Sequence, residues 1–323
     1  ELFARSQTDA ATLQAGQRQF EREEREARRS QRDARRKRTR TQYLREVQLR
    51  NIGAHKSLSM TFGSADTGNA PWMVILGENG VGKSTLLKAI AFTLAGKDAW
   101  SLLGPHAEAI LPRDPRGRGE IKLTLSDGET IKLVVDRGRK RVSGNAAQAR
   151  FNVLGFGATR LLPSGAHPPP AEHAQVRLVN LFDPFTPLGD ASEWLGSLSG
   201  LQFDWAARAL RALLGIERDP AQFFRKDERG IVLVRHGVAY PITSLSDGFQ
   251  TVIGVACDIM SGLLEPDLPV ENAEGLVLID EIGNHLHPRW RMRIVKALKN
   301  AFPRVQFIAT THEPLCLRGL ISG

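Results

Sequence analysis

The residues of this chain best suited to chemistry form a glycine-rich segment at 77–84, Gly-Glu-Asn-Gly-Val-Gly-Lys-Ser. This segment fits the P-loop pattern G-x-x-x-x-G-K-[ST]. Its glycines allow the backbone to aim several N–H groups at one phosphate. Lys83 can reach the outer phosphates, and the Ser84 hydroxyl can bind Mg²⁺. We therefore predict a nucleoside triphosphate site whose contacts are Gly77, Glu78, Asn79, Gly80, Val81, Gly82, Lys83, Ser84 and Thr85.

Two acids downstream have the right position to complete such a site. Gly275–Ile279 is a continuous apolar run that ends at Asp280 and Glu281. A strand that is apolar on both faces belongs inside a parallel sheet, and ligands bind at the carboxyl ends of such strands. Asp280 is predicted to hold Mg²⁺, directly or through water. Glu281 is predicted to orient or deprotonate the attacking water.

Two further segments complete the set of candidate residues. The apolar run 305–309 leads into Thr-Thr-His, so His312 is predicted to contact the γ-phosphate or the attacking water. Leu-Ser-Asp-Gly at 245–248 precedes an apolar helical segment, and Ser246 is a plausible N-cap. The start of that helix is a second anion site without a ligand of its own. Its predicted contacts with nucleotide are Ser246, Asp247 and Gly248.

The elements that must position these residues follow from the hydrophobic pattern. The P-loop lies between an apolar strand and a segment with helical spacing, as the chemistry requires. The remaining predicted elements are strands and one long helix. Strands are expected at Tyr43–Asn51, Leu58–Phe62, Trp72–Leu76, Ile121–Leu125, Thr130–Val135 and Phe151–Phe156, and helices at Thr85–Ala95 and Ser192–Leu214.

The charge of the chain is concentrated at one end. The 323 residues carry a net charge of +9, and residues 18–40 hold eleven Arg or Lys against five acids, which is +6. This arm, 1–41, is predicted to be helical or disordered and to contact nucleic acid or a partner. No apolar run is long enough for a membrane span. Two widely separated cysteines indicate a reducing, cytoplasmic setting.

Taken in order, the P-loop, the segment 245–248, the strand with Asp280 and Glu281, and the strand before His312 resemble the ATP-binding-cassette ATPases. Segments 280–291 and 302–314 are similar to soluble AAA/ABC-type ATPases related to the OLD and RecF/SMC groups. They are especially similar to ATPase subunits of anti-phage systems such as Septu and certain retrons. Gly155-Phe-Gly-Ala-Thr-Arg160 matches the same proteins, and the resemblance covers about residues 43–320.

The resemblance implies a head-to-tail ATP-sandwich dimer, in which residues 246–248 of one subunit close on the γ-phosphate held by the other. Asp247 stands where transporter cassettes usually carry glycine, and the helix that follows lacks their arginine-rich continuation, which argues against a transport subunit. His285 and His287 could suggest a metal pair, but their position next to Pro288 is more typical of a turn.

We therefore expect an α/β P-loop NTPase with an ABC-ATPase-like head over 42–323. It should contain a mixed-sheet core, an antiparallel β lobe and a helical lobe over about 185–265. The expected function is Mg²⁺-dependent ATP hydrolysis that controls an effector in trans, a nuclease or other toxin, in prokaryotic anti-phage defence. Two alternatives remain open: a DNA-repair or chromosome-type ATPase that binds DNA, and a low-turnover nucleotide-binding scaffold.

Overall fold

The computed structural model describes residues 42–63, 69–96, 100, 103–139, 141–145, 152–164, 178–216, 218–265 and 268–318. All of these belong to one compact unit, Gln42–Gly323. The predicted basic arm, 1–41, lies outside the described residues.

A four-stranded parallel sheet forms the centre of this unit. Its strands are β3 (Trp72–Leu76), β7 (Val153–Phe156), β11 (Gly275–Ile279) and β12 (Val305–Thr311), in the order β3-β12-β11-β7. Leu276 and Leu278 of β11 pack into one hydrophobic core, whereas Val277 and Ile279 pack into a second core on the opposite face. Burial on both faces explains the unbroken apolar run. Because the strands are parallel, the segments that follow β3, β11 and β12 meet at one edge.

A five-stranded antiparallel sheet covers one face of the parallel sheet. It contains β1 (Leu44–Ile52), β2 (His55–Thr61), β4 (Arg118–Leu125), β5 (Thr130–Asp136) and β6 (Arg141–Gly144), in the order β2-β1-β4-β5-β6. The strands predicted at Ile121–Leu125 and Thr130–Val135 are present as β4 and β5, and they pair antiparallel. The buried Gln306 amide joins the two sheets, because it donates to Leu44 O (2.8 Å) and accepts from Leu44 N (2.7 Å).

Seven α-helices lie in the described part of the chain. They are α1 (Lys83–Leu94), α2 (Val179–Phe182), α3 (Ala191–Ser197), α4 (Gly200–Leu214), α5 (Asp247–Leu263), α6 (Pro288–Arg291) and α7 (Ile294–Ala301). Helix α1 shares its core with the antiparallel sheet. Helices α4, α5 and α7 share the other core with the opposite face of the parallel sheet. The P-loop helix therefore packs between the antiparallel sheet and one face of the parallel sheet.

The long helix expected at Ser192–Leu214 is wrong, because the structure has two helices there, α3 and α4. The helical conformation is interrupted at Leu198–Ser199, where Ser199 and Gln202 form a capping box that starts α4. Such a cap satisfies backbone N–H groups that would otherwise continue a helix. The apolar spacing runs through this break, which is why periodicity alone joined the two helices.

The lobe expected to be helical over about 185–265 also contains a three-stranded antiparallel sheet. Its strands are β8 (Gln222–Asp227), β9 (Gly230–Arg235) and β10 (Val238–Pro241). Gly230 (φ 92°) and Gly237 (φ 83°) lie at its two turns, in backbone conformations that favour glycine. The lobe is therefore mixed. Leu233 and Phe224 of this sheet belong to the same core as α4 and α5.

Candidate nucleotide-binding and hydrolysis site

The P-loop connects β3 to α1, as predicted. Gly80 (φ 85°) and Gly82 (φ 97°) have left-handed backbone conformations, which side-chain-bearing residues adopt only with strain. Gly82 is the N-cap of α1, so no side chain caps this helix, and its first turn contains no acid. The first N–H groups of α1 and the positive end of its dipole can therefore serve a bound anion.

Lys83 lies at the first position of α1, and its side chain is buried. Its Nζ donates to Gly77 O (2.8 Å) and Glu78 O (3.0 Å), so the backbone of the P-loop holds the ammonium group. The same Nζ lies 3.2 Å from Glu281 Oε1. Two distant predicted residues, Lys83 and Glu281, are thus brought into direct contact.

Asp280 lies at the carboxyl end of β11 and is 7% exposed. Its Oδ1 accepts a hydrogen bond from Thr310 Oγ1 (2.6 Å), and Thr310 Oγ1 accepts one from Glu281 N (2.9 Å). Thr310 therefore fixes both acids from the neighbouring strand. Asp280 and Lys88 also attract each other. Burial lowers the pKa of Lys88, and the Asp280 charge partly opposes that change.

The Glu281 carboxylate lies between Lys83 and His312. Its Oε2 accepts from His312 Nδ1 (2.7 Å) and from His312 N (3.0 Å), while Oε1 faces Lys83. Burial by itself raises the pKa of Glu281, but the hydrogen bonds from His312 and Lys83 outweigh it, so the pKa lies below its usual value. The group is therefore a carboxylate at neutral pH.

Arg160 is a site residue to which the sequence pattern gave no role. It follows β7, the strand that pairs with β11, and it is 5% exposed. Its Nη2 donates to Glu281 O (2.8 Å) and Asn284 O (3.2 Å), so it clamps the turn after Asp280. Burial lowers the pKa of Arg160 to about 10, although the charges of Asp280 and Glu281 raise it.

Arg160 and Glu281 are also both strained. Their φ angles are 43° and 48°, in the left-handed region where a residue other than glycine costs about 1–3 kcal/mol. Such conformations persist only when their surroundings hold them. The signal available in the sequence was an arginine four residues after an apolar strand, Val153–Phe156, which does not by itself indicate a contact with Glu281.

His55 is a second residue that sequence reasoning missed. It begins β2, and its Nε2 lies 3.0 Å from Gly82 O. A Cβ built on Gly82 would lie 2.5 Å from that nitrogen. The turn before it also touches α1, because a Cβ on Gly53 would meet Thr85 Cγ2 at 2.6 Å. The β1–β2 turn therefore supports the P-loop from the antiparallel sheet, and only the fold brings these residues together.

The segment 246–248 begins α5, and Ser246 is its N-cap. The Ser246 side chain makes no capping hydrogen bond and is exposed. Gln250 Nε2 donates to Thr243 O (3.1 Å) and Leu245 O (2.7 Å), which fixes the turn before the helix. Within the described ranges, no hydrogen bond or ion pair joins Ser246, Asp247 or Gly248 to the P-loop.

The residues present fit a Mg²⁺–nucleotide complex. The left-handed glycines, the uncapped start of α1 and the buried ammonium of Lys83 suit a polyphosphate. The Ser84 hydroxyl and the Asp280 carboxylate are the hard oxygen donors that Mg²⁺ prefers. Among the described residues, no group of three or more His, Cys, Asp or Glu is placed to hold a metal ion. His287 instead accepts from Arg289 N at the start of α6.

The fold and the site define a P-loop domain of the AAA/ABC type. Two family models match the chain: "AAA domain, putative AbiEii toxin, Type IV TA system" over residues 204–318, and "AAA domain" over 46–153. The second match covers the P-loop, and the first covers Ser246, Asp280, Glu281 and His312.

Two curated relatives indicate which members of this class the chain resembles. Septu protein PtuA of Bacillus mycoides (strain KBAB4) is 38% identical over 295 residues, which cover 87% of this chain and 40% of PtuA. Retron Vc95 probable ATPase of Vibrio cholerae serotype O1 biovar El Tor is 41% identical over 108 residues, covering 32% of this chain and 21% of that protein. The chain thus spans less than half the length of these relatives. The predicted resemblance to AAA/ABC-like ATPases of anti-phage systems is confirmed.

Solved structures agree on the fold. A SmcHead bound to the C-winged helix domain of ScpA has a TM-score of 0.52 and 18% identity, covering 86% of this chain and 91% of that chain. The SMC head domain from Thermotoga maritima has a TM-score of 0.50 and 15% identity, covering 85% and 91%. The predicted ABC-ATPase-like fold is confirmed. Across the described ranges, every helix is too short or too polar to cross a membrane.

Proposed function

We propose that this chain is a cytoplasmic, Mg²⁺-dependent ATP-hydrolysing subunit of a prokaryotic anti-phage system. In this proposal it forms ATP-sandwich dimers and controls a separate effector protein, a nuclease or other toxin. The observation that carries the enzymatic part is the Glu281 carboxylate held between Lys83 and His312 beside the P-loop. The similarity to Septu PtuA and to the retron ATPase supports the setting.

Each side chain has a distinct task in the proposed reaction. The P-loop N–H groups and Lys83 hold the β- and γ-phosphates and stabilise charge on them. Mg²⁺ bound by Ser84 and Asp280 supplies further neutralisation of that charge. Glu281 orients water and accepts its proton, and His312 fixes the Glu281 carboxylate through two hydrogen bonds.

The contact between Lys83 and Glu281 links nucleotide binding to the strength of the base. In the structure Lys83 helps to keep the pKa of Glu281 low, which makes Glu281 a weak proton acceptor. A triphosphate attracts the same ammonium group. When Lys83 turns toward the phosphates, Glu281 loses one hydrogen-bond donor and its pKa rises. The base is therefore strengthened only when substrate is bound.

Dimerisation is proposed because the segment 246–248 has no nucleotide partner within the subunit. Ser246 is exposed and caps nothing, and the N–H groups at the start of α5 can receive a phosphate from a second copy. The second candidate function is a low-turnover nucleotide-binding scaffold. It is favoured if Lys83 keeps its contact with Glu281 when nucleotide is bound, because Glu281 then stays a weak base.

A mixing experiment tests the composite site. Ser246→Arg and Lys83→Ala are each expected to abolish ATP hydrolysis in the pure protein. In an equal mixture half of the dimers contain one intact site, so about a quarter of the parent activity should return. Ser143→Arg, at an exposed position on β6, is the control and should hydrolyse ATP normally. Two folded mutants that show no rescue at any ratio would exclude action across a dimer.

Turnover separates the two candidate functions. An enzyme should release phosphate continuously in excess ATP. A scaffold should instead bind ATP in a fixed ratio to protein and release almost no phosphate. The effector part is tested separately, by purifying the native complex and identifying the chains that accompany it.

A further inference from the structure

One end of the antiparallel sheet carries a dense set of arginines that the nucleotide site does not use. We call it the arginine cluster, and its members are Arg113, Arg116, Arg118, Arg137, Arg139 and Arg141. They come from the segment before β4, from the turn between β5 and β6, and from the first residues of β4 and β6, Arg118 and Arg141. Arg137 N donates to Gly117 O (3.2 Å), and a Cβ on Gly138 would lie 3.4 Å from Arg116 Cα. The two segments are therefore in direct contact.

The strand register places several of these side chains around one carboxylate. Asp136 pairs with Arg118 on one neighbouring strand and with Arg141 on the other. Strands in a sheet are about 4.8 Å apart, so Arg118 and Arg141 lie about 10 Å apart with Asp136 between them. Asp136 Oδ2 lies 2.8 Å from Arg118 Nε and 4.0 Å from Arg139 Nε.

The carboxylates nearby leave most of this charge unneutralised. Segments 113–118 and 136–139 with Arg141 contain six arginines and two acids, Asp114 and Asp136, a net charge of +4. Asp114 Oδ1 accepts from the backbone of Arg116 and not from its guanidinium. The Arg118 and Arg139 side chains are 62% and 73% exposed. Arg137 instead holds the loop, since it donates to Pro112 O and Arg113 O.

The composition of the cluster indicates the kind of partner. Its exposed residues are Arg, Asp, Pro and Gly, with no aromatic or large aliphatic side chain. Protein interfaces have an apolar core with aromatic anchors, whereas nucleic-acid interfaces are polar and strongly positive. Proteins that hold single strands stack bases on aromatic rings. Arginine suits phosphate because its planar guanidinium donates two parallel hydrogen bonds.

The positive charge continues along the solvent face of the same sheet. Lys122 of β4 lies opposite Lys132 of β5, and Arg50 of β1 lies opposite Glu120 of β4. Lys132 Nζ pairs with Glu120 at 3.0 Å, so part of this face is neutralised. The arginine cluster therefore lies at one end of a sheet face that carries further basic residues.

We propose that the arginine cluster binds the phosphate backbone of a nucleic-acid duplex. Phosphate contacts position a protein on a duplex without reading its sequence, so this contact is expected to be independent of sequence. Its residues are distinct from those of the nucleotide site. Binding is expected to weaken steeply with salt, since each phosphate contact releases counterions.

The test uses the full chain and a short fluorescent DNA duplex, with anisotropy measured between about 50 and 200 mM salt. Arg116→Ser/Arg139→Ser removes two exposed cations. The matched control is Arg225→Ser/Arg229→Ser, because these two arginines flank Asp227 on the β8–β9 hairpin at 3.5 Å each. The arm is identical in every variant, so differences report the cluster alone.

Loss of two phosphate contacts should reduce the slope of log K against log salt by about 1.8, at 0.9 per phosphate of a duplex. The control pair should keep the parent slope, and Arg116→Lys/Arg139→Lys should largely restore it. Equal slopes for the cluster and control variants would overturn the proposal. So would displacement of the duplex by polyglutamate at equal charge, which indicates an acidic protein partner. If the cluster variant loses binding to single-stranded DNA as strongly as binding to the duplex, the claim that the cluster binds a duplex is wrong as well.

Discussion

Arg160 gives the sharpest prediction about how the hydrolysis site is built. Replacing it by Met keeps a long apolar side chain and removes the guanidinium that donates to Glu281 O and Asn284 O. The turn that carries Glu281 then loses the contact that holds it. Glu281 keeps its strained φ of 48° only while its surroundings hold it, so its side chain is expected to move. We expect the variant to lose both stability and activity.

The size of the stability effect follows from these contacts. The carbonyl groups of Glu281 and Asn284 lose their hydrogen-bond donor. Because both residues are partly exposed, the cost of each unsatisfied carbonyl is at the low end of its range, about 1 kcal/mol. The variant also removes a buried charge whose Nε has no acceptor among the described residues, which offsets part of the loss. A net loss of about 1–2 kcal/mol should lower the melting temperature by about 2–8 °C.

Activity distinguishes a positioning residue from a merely structural one. Displacement of Glu281 should lower kcat by about tenfold to a hundredfold and leave the KM for ATP nearly unchanged, because the P-loop is intact. Arg160→Lys should recover part of kcat. Arg211→Met is the matched control, since Arg211 on α4 donates to Asp219 O, and it should affect stability only. A parent-like melting temperature and kcat for Arg160→Met would refute the reasoning.

Two further predictions concern the P-loop and Glu281. Gly82→Ala should lose more stability and ATP affinity than Gly80→Ala. Both glycines have positive φ, but a Cβ on Gly82 would clash with His55, whereas a Cβ on Gly80 has no close neighbour. Calorimetry and thermal melts check this prediction, and equal losses would contradict it. Because the pKa of Glu281 is lowered in the folded state, its stabilising effect is present above the usual value of 4.5 and is lost as pH falls through the folded value. Melting curves of Glu281→Gln and the parent should therefore converge as the solution is made more acidic than pH 4.5, and a constant difference would contradict this.

The central part of the fold could be predicted from the sequence because its signals are local. A strand, a glycine loop and a helix follow one another at 72–94, and Gly275–Ile279 is apolar throughout. Sheet geometry then places Lys83, Asp280 and His312 at one edge. The contact between Lys83 and Glu281 follows from that geometry together with the side-chain lengths.

The parts that could not be predicted depend on contacts between distant segments. Arg160 and Glu281 are 121 residues apart and meet only because β7 pairs with β11. His55 reaches Gly82 because the β1–β2 turn packs on α1. The break between α3 and α4 depends on a capping box that competes with an uninterrupted apolar pattern.

The central claim is that Glu281 is the proton acceptor of an ATPase whose phosphates are held by Lys83. The most direct measurement is single-turnover hydrolysis of ATP by Glu281→Gln, with ATP binding to the same sample measured by calorimetry. Glutamine keeps the shape of the Glu281 side chain, but its amide does not accept a proton at neutral pH. The account predicts near-parent ATP affinity and a hydrolysis rate lower by about 100-fold or more. Parent-like hydrolysis in this variant would contradict it.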